Sequence, residues 1–139
     1  STRDVARTAR RDDGDTALVV ADIARASALK PTDPAAALDV LTRLRPLLAR
    51  LATSDADAAR AYYAAVVSSV LCCLDRPHDA LPFSAESVER YTAIAGPESR
   101  QALEETSRHA TVLVLCGRAE EGVRLLRRVL AAQTRVLGA

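Results

Sequence analysis

The sequence predicts an all-α protein built from three antiparallel helical hairpins that lie side by side. Hydrophobic residues make up 49% of the 139-residue chain and are mostly Ala, Leu and Val, a composition that suits close helix-on-helix packing. Apolar residues recur with helical spacing, and short turns containing Gly, Pro or Asp separate the periodic segments. We therefore expect one helical domain over residues 1–139, either alone or as a piece of a larger protein.

The clearest hairpin covers residues 97–137. Gly117 suits the left-handed backbone that ends a helix, because glycine has no Cβ to clash. The next helix begins at Ala119, followed at once by Glu120 and Glu121 at the positive end of the helix dipole. Its four arginines lie from the middle to the negative end. This charge order favours a helix after the turn.

The same pattern recurs 42 residues earlier, where Gly138 falls on Gly96 and Arg118 falls on Arg76. Going back a further 44 residues aligns a first turn, at residues 31–34, with the second turn, and aligns Ala36 with Ala80. The hairpins are thus predicted at about 16–51, 55–95 and 97–137. The predicted helices are Thr16–Leu29, Pro34–Leu51, Asp55–Leu74, Asp79–Ala95, Pro97–Cys116 and Ala119–Leu137.

Local residues support these limits. Ser54 is predicted to cap the third helix, and Pro34 and Pro97 suit first helical turns, where a missing N–H costs little. Pro46 falls inside the second helix and is predicted to kink or split it. The first dozen residues add a partial helix that ends at the polar segment 12–15.

The last helix carries two apolar stripes. One consists of Val123, Leu126 and Leu130. The other consists of Leu125, Val129, Ala132 and Val136. A helix with two apolar faces is typical of the interior of a helical solenoid, so one stripe would be exposed in a monomer. We expect either a homodimer through this terminal hairpin or burial against further sequence of a longer protein.

The repeated positions resemble a tetratricopeptide repeat. That family places small and apolar residues at fixed positions of two helices, with Gly before the second helix. In the third hairpin these positions fall on Ala110, Leu113, Gly117, Gly122, Leu126 and Val129; in the second they fall on Ser68, Leu71, Asp75, Ala80, Ser84 and Ser87. The long spacing and the run from Arg135 to Gly138 resemble the kinesin-light-chain-like subclass found in actinobacterial regulators. The resemblance implies a right-handed stack whose first helices form a concave, peptide-binding face.

Carried over by residue, the inward positions of the family give the candidate partner-binding residues. They are Arg25, Leu29, Tyr62, Ser69, Ser107, Arg108 and Thr111. Tyr62 and the two arginines are the expected anchors, because aromatic and Arg side chains dominate interface energetics. The expected function is to bind a peptide or a partner domain within a bacterial regulatory or signalling protein. The alternative is a helical sensor domain that binds a small effector between hairpins, with Ser84 and Ser87 as polar lining.

Other functional classes find less support. A net charge of +1 lacks the electrostatic footprint of a nucleic-acid binder, and no apolar run reaches the roughly 18 residues of a membrane span. The sequence contains neither a P-loop nor a G-x-S-x-G motif, so we expect no enzymatic activity and no cofactor. Cys72, Cys73 and Cys116 are predicted to be small buried hydrophobes, which suits a reducing cytoplasm.

The two histidines are predicted to be structural. Glu105 and His109 are four residues apart and share a helical face, but two ligands do not make a metal site. We expect these two side chains to contact each other, and no metal to bind. His78 and Asp79 are predicted to cap the fourth helix.

Overall fold

The computed structural model describes residues 1–51 and 54–138, except for the side chains at positions 5, 6, 8–13 and 55. Within these residues the regular structure is α-helical, which confirms the predicted all-α class. The helices are α1 (Thr2–Leu29), α2 (Pro34–Arg50), α3 (Asp55–Cys73), α4 (Pro77–Ala95), α5 (Arg100–Leu115) and α6 (Ala119–Val136). None of the helices in this part of the chain combines the length and the apolar content needed to cross a bilayer.

Helix α1 is about twice as long as predicted. Ser1 caps it, with its hydroxyl accepting a hydrogen bond from the Asp4 backbone N–H at 3.2 Å. The helix then runs without a break through Gly14, so the predicted stop at residues 12–15 is wrong. A glycine inside a helix costs only about 1 kcal/mol relative to alanine. The surrounding Ala and Arg residues are good helix formers, and no proline enforces a break.

Helix α2 begins as predicted but tolerates its internal proline. Asp33 caps it by accepting from the Ala36 N–H at 3.0 Å, and Pro34 occupies the first turn. Pro46 lies on the exposed side and does not split the helix, which continues to Arg50. A proline removes only one helical hydrogen bond, and α2 is held by further contacts with α3.

Two side chains of α3 hold the C-terminal half of α2. The Tyr63 hydroxyl donates to the Leu41 carbonyl at 2.7 Å in the buried interface. Arg60 donates to the Leu48 carbonyl at 3.0 Å and also to the carbonyl of Leu51. The Arg60 bonds meet the last turn of α2 and its C-cap, where helical carbonyl groups run short of donors, and the Tyr63 bond adds a contact farther back along the helix.

Two further predicted helix starts, those of α4 and α5, differ from the structure. Helix α4 begins at Pro77, so His78 and Asp79 lie in its first turn and do not cap it. Helix α5 begins after Ser99, whose hydroxyl accepts from the Ala102 N–H at 3.2 Å. Proline suits the first helical turn, but serine offers the side-chain acceptor that the free N–H groups require. Pro97 therefore lies in the turn before α5.

Ser54 occupies the predicted position before α3 but makes no capping hydrogen bond with its side chain. Its backbone is already helical, at φ −62° and ψ −27°. A capping serine normally has an extended backbone that aims its hydroxyl at the first free N–H groups. The predicted capping role of Ser54 is therefore wrong.

The turns α3–α4 and α5–α6 share one backbone geometry at a spacing of 42 residues. Asp75 has φ +58° and Gly117 has φ +83°, so both take the left-handed conformation. The Arg76 N–H donates to the Leu71 carbonyl at 2.9 Å, and 42 residues later the Arg118 N–H donates to the Leu113 carbonyl at 2.8 Å. These bonds close the preceding helix in the same way in both turns.

The side chains of these turns repeat as well. Arg76 Nε donates to Asp79 at 2.8 Å, and Arg118 Nε donates to Glu121 at 3.0 Å. The N–H groups of Ala80 and Gly122 both donate to the carbonyl of the capping residue, each at 3.1 Å. The 42-residue repeat inferred from sequence is therefore present in the turn geometry.

A small residue follows each cap by four positions, where the second helix crosses the first. These residues are Ala37, Ala80 and Gly122, and all three are buried. The first turn is thus displaced by 43 residues from the second, with Ala37 on Ala80 in place of the predicted Ala36. Gly122 permits the closest approach, because a Cβ there would lie 2.7 Å from the Ala110 carbonyl oxygen.

The buried residues form one large cluster and one small cluster. The large cluster joins α1, α2, α3 and α4, takes in Val112 of α5, and includes Ile23, Leu41 and Val70, which are fully buried. The small cluster joins α5 and α6 and consists of Leu103, Val129 and Ala132 among the described residues. Helix α3 packs against α1, α2 and α4, whereas α5 packs against α4 and α6. A groove therefore opens between α5 and the α1–α3 pair.

Candidate functional site

Two adjoining cavities occupy this opening, and we call them together the α3 groove. The first has a volume of about 330 Å³ and the second about 220 Å³. Both are lined by Ala65, Ser69, Glu105 and Arg108, so they are continuous. The walls are formed by Ser27 and Lys30 of α1 and by Gln101, Glu104, Glu105, Arg108, Thr111 and Leu115 of α5.

The floor of the α3 groove follows from helical spacing. Tyr62, Ala65, Ser69 and Cys72 are separated by three or four residues, so they lie along one face of α3. The two middle residues are small. Because the side chains of Ala65 and Ser69 are small, they do not fill the space between α5 and α1, and the groove stays open above α3.

Lys30 supplies a cationic donor at one wall. Its ammonium group donates to the Ser69 hydroxyl at 2.8 Å across α1 and α3. The lysine side chain is half-buried, and no carboxylate among the described residues pairs with it. An ammonium group has three donors, so two remain for a bound partner.

Arg108 supplies a second cation at the opposite wall. It donates to the Glu105 carboxylate at 2.5 Å, and that glutamate is only 6% exposed. Glu105 also accepts from the Ser87 hydroxyl of α4 at 3.3 Å. A buried carboxylate requires such donors, since charge removed from water is costly without partners. The Arg108 side chain itself remains 64% exposed, with donors free for a partner.

His109 points away from Glu105 and toward α4. Its Nδ1 lies 2.6 Å from the Ser84 hydroxyl, so the expected Glu105–His109 contact is replaced by one contact from each residue to α4. Burial lowers the pKa of His109, and the nearby Arg118 lowers it further, while Glu121 acts in the opposite direction. The imidazole is therefore neutral at pH 7.

Two tyrosines line the polar end of the groove. Tyr62 comes from α3 and Tyr91 from α4, and both are half-buried. Burial raises the pKa of Tyr91, and the charge of Glu105 raises it further. The Tyr91 hydroxyl therefore stays protonated at neutral pH and can donate a hydrogen bond.

The cysteines differ in exposure from what the sequence suggested. Cys72 and Cys116 are half-buried and Cys73 is exposed, so the prediction that all three are buried is wrong. Cys73 projects from the last turn of α3, one residue beyond the face that lines the groove. Burial raises the pKa of Cys72, and the neighbouring Cys73 and Cys116 raise it further. Its thiol is therefore protonated at neutral pH, which makes it a poor nucleophile.

The structure brings together four of the seven predicted partner-binding residues. Tyr62, Ser69, Arg108 and Thr111 all line the α3 groove. The other three do not line it.

Each of these three residues has a different local role. Arg25 lies outside the groove, 65% exposed, with Asp22 3.4 Å away on the same helix. Leu29 packs against the large core cluster. The Ser107 backbone carbonyl accepts a hydrogen bond from the Thr111 hydroxyl at 3.2 Å.

Sequence reasoning missed Lys30, Tyr91 and Gln101. Lys30 had a signal, because it is the single lysine beside eighteen arginines in the chain. Tyr91 had none, since it comes from a second helix of a pair and reaches the groove past α3 and α5. Of the two serines considered as lining for a small effector, Ser84 lines the groove. Ser87 is buried against Glu105.

The described residues contain no cluster of three or more His, Cys, Asp or Glu side chains placed to hold a metal ion. Comparisons of the chain with protein-family models, curated proteins and solved structures found no significant match.

Proposed function

We propose that this chain is a protein-interaction module that receives a peptide or a partner domain in the α3 groove. The observation that carries the proposal is the continuity of two cavities along one face of α3, between walls from α1 and α5. Grooves between helices are a recurrent way of binding extended or helical peptides. The proposed setting is a bacterial regulatory or signalling protein.

The proposed architecture is a right-handed, tetratricopeptide-like stack of three hairpins. The recurrence of the same turn geometry and the same Arg–carboxylate pair after 42 residues supports it. The small residues at Ala37, Ala80 and Gly122 support it further, since each is buried four positions after the cap of the second helix of its pair. Such a stack would place α1, α3 and α5 on one side, where the groove lies.

The lining of the groove supports a partner with mixed chemistry. One end offers hydrogen-bond donors from Lys30, Tyr62 and Tyr91, while the other end is more apolar, with Cys72 and Leu115. A peptide that lies along α3 would place polar groups at the first end and an apolar side chain at the second. Burial of that side chain would supply most of the affinity, and the donors would fix direction.

The test is selection of peptides from a random displayed library against the immobilised protein, followed by affinity measurement by fluorescence polarisation. Arg108→Ala and Arg25→Ala form a matched pair, because the two side chains are 64% and 65% exposed and each faces an acidic residue three positions earlier. We expect Arg108→Ala to weaken binding about tenfold or more and Arg25→Ala to leave it unchanged.

A second variant guards against an effect of Arg108→Ala on folding, since that change leaves Glu105 buried without its cation. Thr111→Arg adds bulk at an exposed position of the groove and should block the same peptides. Selected peptides that bind Arg108→Ala and Thr111→Arg as tightly as the parent protein would refute the groove as the site.

A binding role without catalysis is part of this proposal. The protonated Cys72 thiol and the neutral His109 held by Ser84 support it, because neither is placed as an activated nucleophile–base pair. A small effector in the same groove is the second candidate, favoured by the modest volume of the second cavity and by Ser84 in its lining. Thermal stabilisation by metabolites that compete with the selected peptides would identify that case.

A further inference from the structure

Helix α6 presents an apolar stripe to solvent. Val123, Leu126 and Leu130 are 42%, 40% and 64% exposed. Their spacing of three and four residues places them on one face of the helix, away from the buried Val129 and Ala132 that pack with Leu103 of α5. A contiguous apolar stripe of this kind is typical of an association surface.

Charged residues border this stripe in an ordered way. Glu120 lies in the first turn of α6, and Arg127 lies two turns later on the same border of the stripe. Both side chains are exposed, and neither forms an ion pair within the described part of the chain. Together with Ala119, Val123 and Arg124 they line a shallow depression of about 460 Å³.

We propose that this stripe is covered by α6 of a second copy of the chain, packed antiparallel about a two-fold axis. Pairing Val123 with Leu126 of the other copy, in both directions, places the axis beside Arg124. The same register brings Glu120 of each copy beside Arg127 of the other. Two symmetric ion pairs then flank an apolar contact, as a self-complementary interface requires.

The charge order selects the antiparallel arrangement. In a parallel pair the border that carries Glu120 and Arg127 would face the opposite border of the partner helix, so these two ion pairs could form only in the antiparallel arrangement. The antiparallel pair also opposes the two helix dipoles. The exposed area belongs largely to one helix, so the interface is at the lower end of stable contacts and the dimer should dissociate on dilution.

Sedimentation velocity over a dilution series of the 139-residue chain tests this proposal. We expect a species of about twice the 14.8 kDa chain mass at high concentration, which converts to monomer on dilution. Leu130→Glu should abolish the dimer while leaving the circular dichroism spectrum unchanged, because Leu130 is 64% exposed. Leu18→Glu is the matched control, since Leu18 is 68% exposed on α1 and should leave the dimer intact.

Charge reversal tests the register. Glu120→Arg and Arg127→Glu should each weaken association about tenfold or more, and the double variant should restore it. A monomer at every concentration would overturn the proposal and leave the stripe to a different partner. A dimer that survives Leu130→Glu, or a double variant as weak as the single variants, would overturn it as well.

Discussion

Helices α1 to α4 bury their large apolar side chains, whereas α6 leaves most of its own in contact with solvent. Ile23, Leu41 and Val70 are fully buried in the first region. By contrast, seven of the ten strongly exposed large apolar residues in the described part of the chain lie in residues 114–137. The local turn geometry is the same in the two regions, at Asp75 and at Gly117. The turn geometry therefore does not account for the difference, which depends on the helices that surround each apolar face.

The neighbours explain the contrast. Helix α3 has α1 and α2 on one side and α4 on the other, so every apolar face finds a partner. Helix α6 packs against α5 and has no further helix beyond it among the described residues. Stability should accordingly reside in the first region, while the second region keeps a surface free for association.

The largest expected loss of stability comes from Val→Ala substitutions, which can be compared between the large and the small buried cluster. Val70 and Val129 are 0% and 5% exposed, so Val70→Ala and Val129→Ala remove the same atoms from nearly equal burial. We expect Val70→Ala to lower the free energy of unfolding by about 2–3 kcal/mol, and Val129→Ala by about half as much, because fewer buried neighbours surround the second site. Urea denaturation measures both. Equal losses would mean that the two regions contribute alike.

An intermediate change in the free energy of unfolding is expected at Gly122, where α6 closely approaches α5. Alanine is the better helix former by about 1 kcal/mol, yet Gly122→Ala should destabilise the protein by about 1–3 kcal/mol. The new Cβ would lie 2.7 Å from a backbone oxygen of Ala110, which cannot rotate away. At the equivalent position, Ala80→Gly should cost about 1 kcal/mol through helix propensity. A more stable Gly122→Ala variant, in the same denaturation assay, would show that α5 and α6 do not pack this closely.

The smallest effect concerns the junction between the regions, where His109 of α5 contacts Ser84 of α4. Burial lowers the pKa of His109 in the folded state, so the unfolded chain takes up the proton first as the pH falls below about 6.5. Stability from this group is therefore present above that pH and is lost as the pH falls toward the lower folded pKa. Thermal melts at pH 7.5 and 5.5 measure the loss.

The control for this prediction uses the other histidine. His109→Gln should flatten the stability change between pH 7.5 and 5.5, whereas His78→Gln should retain it because His78 is exposed in the first turn of α4. An equal pH dependence in the two variants would place its origin elsewhere.

The sequence predicted helix ends correctly where a single residue type favours one backbone conformation. Gly117 and Gly138 take positive φ values as their position after a helix predicts, and Ala119 begins α6 as expected. Prediction failed where a break was inferred at Gly14, and at Pro46 the helix is not split, which leaves only the predicted kink open. A single unfavourable residue costs about 1–3 kcal/mol, which a long helix with packed neighbours can offset.

The sequence allowed us to predict which helices line the candidate site, but not which face of each helix is turned toward it. The inward positions implied by the tetratricopeptide resemblance include Tyr62 and Ser69 of α3, and both line the groove. On α1 the predicted residue Arg25 lies outside the groove, whereas Lys30, five residues later, lines it. The orientation of α1 depends on how it packs against α2 and α3, which no short pattern encodes. Tyr91 was missed for the same reason.

The hydrogen bond between Lys30 and Ser69 has a practical consequence. Lys30 is the single lysine of these 139 residues, so an amine-directed reagent can react with only one side chain. That side chain lies in the groove. A fluorophore or an acetyl group attached to the Lys30 side chain reaches a defined position without any engineered residue. The natural composition of the chain thus supplies its own reporter for occupancy of the groove.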